Sequence, residues 1–553
     1  MRYGTEFLVN ATTGSDQFES SIIGLANGRF VVVWTDNSQS VGDVSGSAIR
    51  AQIFNADGTP RGPEFLVNTV TTSNQFQPTI TALADGRFIV AWSDTSATGA
   101  DTSFGAIRAQ VFDAAGVGLG APFLVNSSRS STQDAPTITA LADGGFVVAF
   151  VDQSRSIGDT SSTAIRAQAY NADGTARGAE FLVNTTTLDM QFEPAITALT
   201  GGRYVVSWTD GGTIIDSSTY DVRAQVFRAD GSKLGSEIHI KADGAEAQFD
   251  SSIAALADGR FVVTWTDFSR TVGDRSYSAV HAQIFDAKGN PSGVEFLVNS
   301  TKGAYQFGSS ATALADGRFV VTWSDFSRSD DDRSFCAVRG QVFNADGTLS
   351  GFEFLVNTTT SDNQIAPSVT ALADGRFVVS WTDWSETGAD KSGAGIRAQI
   401  IDPREAAINL AGSTLSDDFV GTLFGDTIRG KGGADHLEGM LGNDSLVGGG
   451  GDDLLHGRQG DDTLIGGAGD DVLEGGGAED TFVYARGDDR DTVTDFADGI
   501  DVIDLSSYGF VDFAEAASHF TTIGTGVIFT AGQNTLMIQN FSLANMTADD
   551  LIL

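Results

Sequence analysis

The chain has 553 residues, of which 72 are acidic and 33 basic, so its formal net charge at pH 7 is −39. A surface of this sign repels nucleic acid and anionic membranes, and no apolar run is long enough to span a bilayer. With 41% hydrophobic residues the chain can nevertheless bury the cores of two or three domains.

Cysteine usage and the N-terminus bear on where the protein works. Cys336 is the single cysteine, so the chain forms no disulfide with itself. The first ten residues contain neither the apolar segment nor the cleavage site of a secretory signal peptide. If the protein is secreted, we expect calcium or packing to replace disulfides, and the export signal to lie elsewhere in the chain.

The first 402 residues consist of seven repeats of about 58 residues, with the shared pattern A-L-A-D-G-R-F-V-V-x-W-[TS]-D. Each repeat contains four short runs rich in β-branched and aromatic residues, which predict four strands. Seven such units predict a seven-bladed β-propeller over residues 1–402. The recurring aromatic residue stands at Trp34, Trp92, Phe150, Trp208, Trp265, Trp323 and Trp381.

Turn signals and the fourth-strand motif predict how the blades are built and closed. Asp-Gly or Asn-Gly pairs, such as Asp85-Gly86, separate the first two strands and predict two-residue type I′ turns. The fourth-strand motif F-L-V-N is absent from the seventh repeat but occurs at residues 7–10. We therefore expect the N-terminal strand to complete the last blade and to remove the open sheet edge.

The loop after each recurring aromatic residue begins with Asp, as at Asp36 and Asp94, and in six repeats a second Asp follows seven residues later. Such residues can hydrogen-bond to their own loop backbone. They can also bind cations. The sequence leaves both alternatives open.

Repeats five to seven carry aromatic and basic residues in these loops. Rings beside polar groups are typical of sugar sites, because the ring packs on C–H faces while the polar groups bond hydroxyls. Packing of the rings between neighbouring loops is the alternative. The candidate ligand-binding residues are Phe268, Arg270, Phe326, Arg328 and Trp384.

Three classes of function remain open for the propeller: a module that binds a polysaccharide or cell-surface glycan, a polysaccharide lyase or hydrolase, and a structural protein of a surface layer or biofilm matrix. The outline resembles seven-bladed uronate lyases that use His, Tyr and Arg. Tyr277 and His281, which replaces a recurring Arg, form the one constellation for acid–base chemistry. No zinc-protease, nucleophile-elbow or phosphate-loop motif occurs. The balance favours binding over catalysis.

After a linker at residues 403–411, residues 412–483 divide into eight nonapeptides. Position one is always Gly, position six is always Asp and position eight is always apolar. Gly-rich turns expose carbonyl oxygens, Asp adds a hard anionic oxygen, and Ca²⁺ takes six to eight such ligands. Because alternate turns stack, we expect Asp residues 18 apart to share a cation, which predicts about four to six ions. The candidate ligands are Asp426, Asp435, Asp444, Asp453, Asp462, Asp471 and Asp480, with Gly433, Gly442, Gly451, Gly460 and Gly469.

These nonapeptides resemble the RTX repeat, G-G-x-G-x-D-x-φ-x, and the resemblance implies a parallel β-roll with calcium between its turns. Residues 491–506 look like the segment that caps the roll in serralysin-type proteins, which places a cap in residues 484–553. Residues 546–553, acids followed by aliphatics, are similar to an uncleaved type I secretion signal. The resemblance implies export by a type I apparatus to the cell exterior or surface. It does not imply proteolysis, because H-E-x-x-H is absent.

Overall fold

A computed structural model of the protein shows an almost entirely β-structured chain that divides into two compact units, one formed mainly by residues 1–403 and one mainly by residues 404–553. Among the described residues, no helix has the length and apolar character needed to cross a membrane. The structure describes residues 2–553 except for 41, 44, 45, 99–102, 156, 157, 159–161, 188, 212–219, 241–246, 270–276, 329–334 and 392.

Seven four-stranded antiparallel sheets form the first unit, and each is one blade of a propeller. Short segments rich in Val, Ile, Phe and Trp favour these strands. The predicted seven-bladed fold is confirmed. The strands are β1 (Arg2–Leu8), β2 (Gln17–Gly24), β3 (Phe30–Asp36), β4 (Ala48–Phe54), β5 (Phe65–Leu66), β6 (Gln75–Ala82), β7 (Phe88–Asp94), β8 (Ala106–Phe112), β9 (Phe123–Leu124), β10 (Gln133–Ala140), β11 (Phe146–Asp152), β12 (Ala164–Tyr170), β13 (Ala176–Leu182), β14 (Gln191–Ala198), β15 (Tyr204–Asp210), β16 (Asp221–Phe227), β17 (Lys233–His239), β18 (Gln248–Ala255), β19 (Phe261–Asp267), β20 (Ala279–Phe285), β21 (Phe296–Leu297), β22 (Gln306–Ala313), β23 (Phe319–Asp325), β24 (Ala337–Phe343), β25 (Leu349–Leu355), β26 (Gln364–Ala371), β27 (Phe377–Asp383) and β28 (Gly395–Ile401).

Consecutive strands pair within each blade, except that the seventh sheet has the order β1-β28-β27-β26. Leu8 of β1 lies opposite Arg397 of β28. The first strand of the chain therefore supplies the outer strand of the last blade, and this pairing closes the ring.

The hydrophobic cores lie between adjacent blades rather than inside single blades. Trp92 of the second blade packs in one cluster with Val31 and Val33 of the first. Trp34 of the first blade packs with Val378 and Ile396 of the seventh, so the same type of core also spans the closure. Each blade therefore depends on the preceding blade for burial of its aromatic residue.

The hairpins that join the blade strands differ from the predicted two-residue type I′ turns. The Leu83 N–H donates to the Arg87 carbonyl, and the Gly86 N–H donates to the Leu83 carbonyl, which encloses a three-residue loop. Only Gly86 has a positive φ, of 86°, whereas a type I′ turn needs two such residues. The loop is thus a type I turn followed by a glycine bulge, and Asp85 instead accepts a hydrogen bond from the Arg87 backbone at 3.2 Å.

The second unit contains two sheets built largely from parallel strands, with the orders β29-β31-β33-β35-β37-β39-β43 and β30-β32-β34-β36-β38-β42-β41-β40. Its short helix is α1 (Phe513–Ala517). The strands are β29 (Asn409–Ala411), β30 (Asp418–Val420), β31 (Thr427–Arg429), β32 (His436–Leu441), β33 (Ser445–Gly450), β34 (Leu454–Gln459), β35 (Thr463–Ala468), β36 (Val472–Gly477), β37 (Thr481–Val483), β38 (Arg490–Val493), β39 (Val502–Asp504), β40 (Phe520–Ile523), β41 (Gly526–Ala531), β42 (Asn534–Ile538) and β43 (Leu551–Ile552).

Each nonapeptide contributes one strand of this roll, and strands of one sheet are two nonapeptides apart. Leu446 lies opposite Leu464, and Leu455 lies opposite Leu473. These position-eight residues are fully buried or nearly so, as a residue repeating on one face of stacked strands should be. The parallel coils extend from β29 to β39, beyond residues 412–483 at both ends.

Glu6 offers a test of the closing strand. Its carboxylate accepts hydrogen bonds from Thr358 and Thr359 and pairs with Arg397 at 3.1 Å. Burial opposes ionisation of Glu6, but the hydrogen bonds from both threonines outweigh it and lower its pKa. Because charge-assisted bonds are lost, we expect Glu6→Gln to reduce the free energy of unfolding of the propeller by about 2 kcal/mol.

Urea unfolding followed by tryptophan fluorescence measures this effect, because all seven tryptophans lie in residues 1–402. Glu386→Gln, at an exposed site of the same unit, is the matched control and should leave the midpoint unchanged. Equal midpoints for the two variants would contradict a stabilising role for the closing strand.

Candidate metal centre

The Asp residues at position six form a buried ladder along the roll, which consists of two rows because each Asp bonds the Asp two nonapeptides away. Asp453 Oδ1 accepts a hydrogen bond from the Asp435 backbone N–H at 2.8 Å, and Asp471 Oδ1 accepts one from the Asp453 N–H at 2.8 Å. Each bond spans 18 residues, which is one full coil. The same contact links Asp417 to Asp435, Asp426 to Asp444, Asp444 to Asp462 and Asp462 to Asp480.

The second carboxylate oxygen lacks such a partner in six of these residues. Oδ2 is buried and receives no hydrogen bond within the described part of the chain. Such an atom is costly, because burial removes its hydration without replacing it. This applies to Asp435, Asp444, Asp453, Asp462, Asp471 and Asp480.

The electrostatics of the ladder favour a bound cation. Burial is the main cause that raises the pKa of Asp453 to about 7, and the neighbouring carboxylates of Asp471 and Asp435 raise it as well. Asp444 has a pKa raised to about 7 for the same reasons. At neutral pH the ionised ladder is therefore unfavourable on its own, and the row of unpaired oxygens fits a hard cation with oxygen ligands.

Glycine is required at two positions of the nonapeptide because the coils approach closely. A Cβ atom on Gly448, at position one, would lie 2.2 Å from Asp453 Oδ2. A Cβ atom on Gly460, at position four, would lie 1.8 Å from the Gly442 carbonyl oxygen, and Gly460 has a φ of 130°. Positive φ values occur at all the position-four glycines predicted as ligands, namely Gly433, Gly442, Gly451, Gly460 and Gly469.

Sequence reasoning missed two members of the ladder. Asp491 Oδ1 accepts a hydrogen bond from the Asp471 N–H at 3.1 Å, and Asp501 Oδ1 accepts one from the Asp480 N–H at 3.0 Å. They are 20 and 21 residues from their partners, so a strict count of nonapeptides does not reach them. Both are nevertheless followed two residues later by a buried apolar residue, Val493 and Ile503, and this triplet was the available signal.

The Asp residues in the loops of the propeller form hydrogen bonds or ion pairs with other groups of the protein. Asp36 Oδ1 accepts a hydrogen bond from the Ser38 backbone at 3.0 Å, and Asp36 Oδ2 pairs with Arg50 Nε at 2.5 Å. Of the two predicted roles, bonding to the loop backbone is therefore observed. Of the second Asp set, Asp43 accepts from Asn68 and Asp390 from Asn10. Asp101, Asp159, Asp274 and Asp332 lie outside the described residues.

The predicted ligand-binding residues differ in exposure. Phe268 and Phe326 are half-buried and stack on rings of their own blades, Phe249 and Phe307. Trp384 is 38% exposed. Arg328 is exposed and lies over the Phe335 ring, 4.5 Å from its centroid, and Arg270 is outside the described residues.

Tyr277 and His281 lie in different surroundings. Tyr277 is 53% exposed and stacks on Tyr305, with 5.0 Å between ring centroids. His281 is buried opposite Trp265, and its Nδ1 lies 2.6 Å from Glu295 Oε1. Tyr305 was missed by sequence reasoning, since it precedes β22 and not the loop that follows the recurring aromatic residue.

The close approach of the coils generates a test. Gly460→Ala would force a methyl group into the Gly442 carbonyl at a strained φ, so we expect this variant to lose the ordered roll. Gly477→Ala is the control, because its Cβ would meet only the Arg458 carbonyl, at 3.9 Å. Hydrogen exchange of peptides from residues 409–504 in calcium measures the difference. Equal protection in both variants would contradict the tight stacking of coils.

Comparison with known proteins identifies the ladder. The family of RTX calcium-binding nonapeptide repeats matches residues 420–455 and 456–491. No curated protein matches the chain.

The propeller is similar in fold to several solved structures, all at TM-scores below 0.5. A protein of unknown function from Dyadobacter fermentans is 12% identical, with 73% of this chain and 99% of that chain covered and a TM-score of 0.43. An ulvan lyase is 12% identical, with 73% and 96% covered and a TM-score of 0.44. An α-L-arabinofuranosidase from Fusarium graminearum is 11% identical, with 72% and 98% covered and a TM-score of 0.40. The predicted RTX resemblance is thus confirmed: residues 420–491 of this chain are RTX calcium-binding repeats, and they follow a seven-bladed propeller.

Proposed function

We propose that this is a secreted protein whose C-terminal roll folds on binding several Ca²⁺ ions and whose propeller binds an extracellular ligand. The observation that carries the first part is the row of buried Asp oxygens without a donor. In this proposal Asp426, Asp435 and the later ladder residues supply charged oxygens, and the carbonyls of the position-four glycines complete each site. Bound Ca²⁺ supplies the positive charge that the ladder lacks.

The proposal makes calcium binding a folding reaction. Residues 412–483 contain 15 acidic and three basic residues, so stacking the coils without a cation brings like charges together. Ordering the many glycines adds an entropy cost. When a cation binds only the folded roll, its binding energy becomes folding energy.

This coupling suits a protein that is exported before it folds. Extracellular calcium modules bind at about 10⁻⁴–10⁻³ M, so such sites stay empty inside the cell and fill outside it. We propose that the unfolded roll passes a type I secretion apparatus that recognises residues 546–553. In the folded protein part of this segment is β43, which pairs with β39, so an export signal of this kind is read before folding.

Asp453→Asn tests the calcium ladder. Asn keeps the oxygen that accepts the Asp435 N–H but replaces the unpaired Oδ2 with an uncharged amide, so two neighbouring sites lose an anionic ligand. We expect the calcium midpoint for protection of residues 409–504 against hydrogen exchange to rise about tenfold in the full-length protein.

Glu479→Gln is the matched control, because it removes the same charge from an exposed position beside Asp480. Its calcium midpoint should stay close to that of the unchanged protein. A roll that is equally protected in chelator and in calcium would refute the proposed folding switch.

Exposed aromatic residues near the post-aromatic loops support a glycan as the propeller ligand. Tyr277 and Tyr305 form a stacked pair, and Tyr305 also lies beside Phe268, at 6.3 Å between centroids. Tyr277 is 53% and Tyr305 43% exposed, so both rings of the pair are partly open to solvent. Rings presented in this way can pack on the C–H face of a sugar.

Retention on a panel of immobilised polysaccharides tests this proposal. We expect Tyr277→Ala and Trp384→Ala each to weaken retention about tenfold, since each removes an exposed ring. Phe352→Ala is the control, because this ring is 94% exposed but lies in β25, away from the loops. Absorbance of unsaturated products, read alongside, would reveal a lyase instead. Unchanged retention in both loop variants would exclude this aromatic surface.

A further inference from the structure

Five blades of the propeller contain a buried cluster of charged side chains that is separate from the Asp residues of the roll. In the sixth blade, Arg339 Nε pairs with Asp325 at 2.7 Å and Arg339 Nη1 pairs with Glu353 at 3.2 Å. One guanidinium thus bridges two buried carboxylates from the neighbouring strand segments. The same triad occurs as Arg50 with Asp36 and Glu64, Arg166 with Asp152 and Glu180, Arg223 with Asp210 and Glu237, and Arg397 with Asp383 and Glu6.

The fifth blade keeps both carboxylates but replaces the arginine with His281. Asp267 and Glu295 stand at the positions of Asp325 and Glu353, and His281 is 2% exposed. His281 Nδ1 lies 2.6 Å from Glu295 Oε1, yet it makes no hydrogen bond of acceptable geometry among the described residues. One ligand atom from each of the three side chains lies within 4.8 Å of the other two.

The substitution changes what the cluster can bind. A guanidinium carries a permanent charge on a long side chain, whereas an imidazole is shorter and offers a nitrogen donor. Two carboxylates that are held close together in a largely buried place favour a positive charge beside them. One imidazole with two carboxylates is a donor set for transition-metal dications, with metal–nitrogen and metal–oxygen distances of about 2.0–2.2 Å. Ca²⁺ prefers oxygen ligands alone.

We propose that Asp267, His281 and Glu295 form a binding site for a transition-metal dication of the zinc class in the fifth blade. Three protein ligands leave a fourth position of a tetrahedral site open. The Glu295 side chain is 27% exposed, so solvent reaches the cluster and water can supply the fourth ligand. The site is independent of the calcium roll and of the aromatic surface.

Titration of the full-length protein with Co²⁺ tests the proposal, with Ca²⁺ in saturating excess so that the roll is occupied. The visible absorption of Co²⁺ bound by nitrogen and oxygen ligands reports the site, and Zn²⁺ should displace it. We expect one equivalent of Co²⁺ to bind. His281→Arg, which installs the residue of the other blades, should weaken this binding by at least about 100-fold while the urea midpoint for unfolding of the propeller stays close to that of the unchanged protein.

Two further variants use the repeat as its own control. Arg339→His should create a second site with Asp325 and Glu353, and two equivalents of Co²⁺ should then bind. Arg108→His should create none, because Pro122 stands where the other blades have Glu. The proposal is overturned if the unchanged protein binds no Co²⁺, or if His281→Arg binds it equally well. A new site in Arg108→His would refute the role of Glu295 as a ligand.

Discussion

The burial of one Asp carboxylate in every repeat is the constraint on which both units of this protein depend. A carboxylate taken out of water needs hydrogen bonds and positive charge to remain ionised. In the propeller the chain supplies that charge itself, as Arg50 does for Asp36. In the roll the backbone satisfies only one oxygen of Asp453, and the other receives no hydrogen bond from the described residues. Under the proposed function, the propeller folds from its own residues, whereas the roll takes the missing positive charge from bound Ca²⁺.

The ring imposes a second dependence on the propeller. No blade has a core of its own, because the recurring aromatic residue of each blade packs on the blade before it. Closure by β1 extends this arrangement to the junction of the first and seventh blades, so no blade is left with an uncovered face. A closed ring of this kind is a scaffold that can present loops for binding.

The residues that depart from the repeat pattern are the ones on which the proposed binding sites rest. The Arg, Asp and Glu triad is an ion-paired cluster in five blades, and in the fifth blade His281 replaces the Arg, which gives the donor set of the proposed metal site. The exposed pair of Tyr277 and Tyr305 adjoins the same blade. Near-identical repeats therefore provide an internal reference against which one altered residue can be interpreted.

The sequence by itself determined the number of blades, the four strands of each, the closure by the first strand and the 18-residue spacing of the calcium ladder. These features repeat, and side chains that are buried at regular intervals produce a regular pattern of apolar residues in the sequence. The tertiary structure alone decided the three-residue hairpins, the membership of Asp491 and Asp501, and the meeting of Asp267, His281 and Glu295. These depend on backbone conformation, on irregular coil lengths, and on contacts between strands that are far apart in the chain, none of which a repeat spacing encodes.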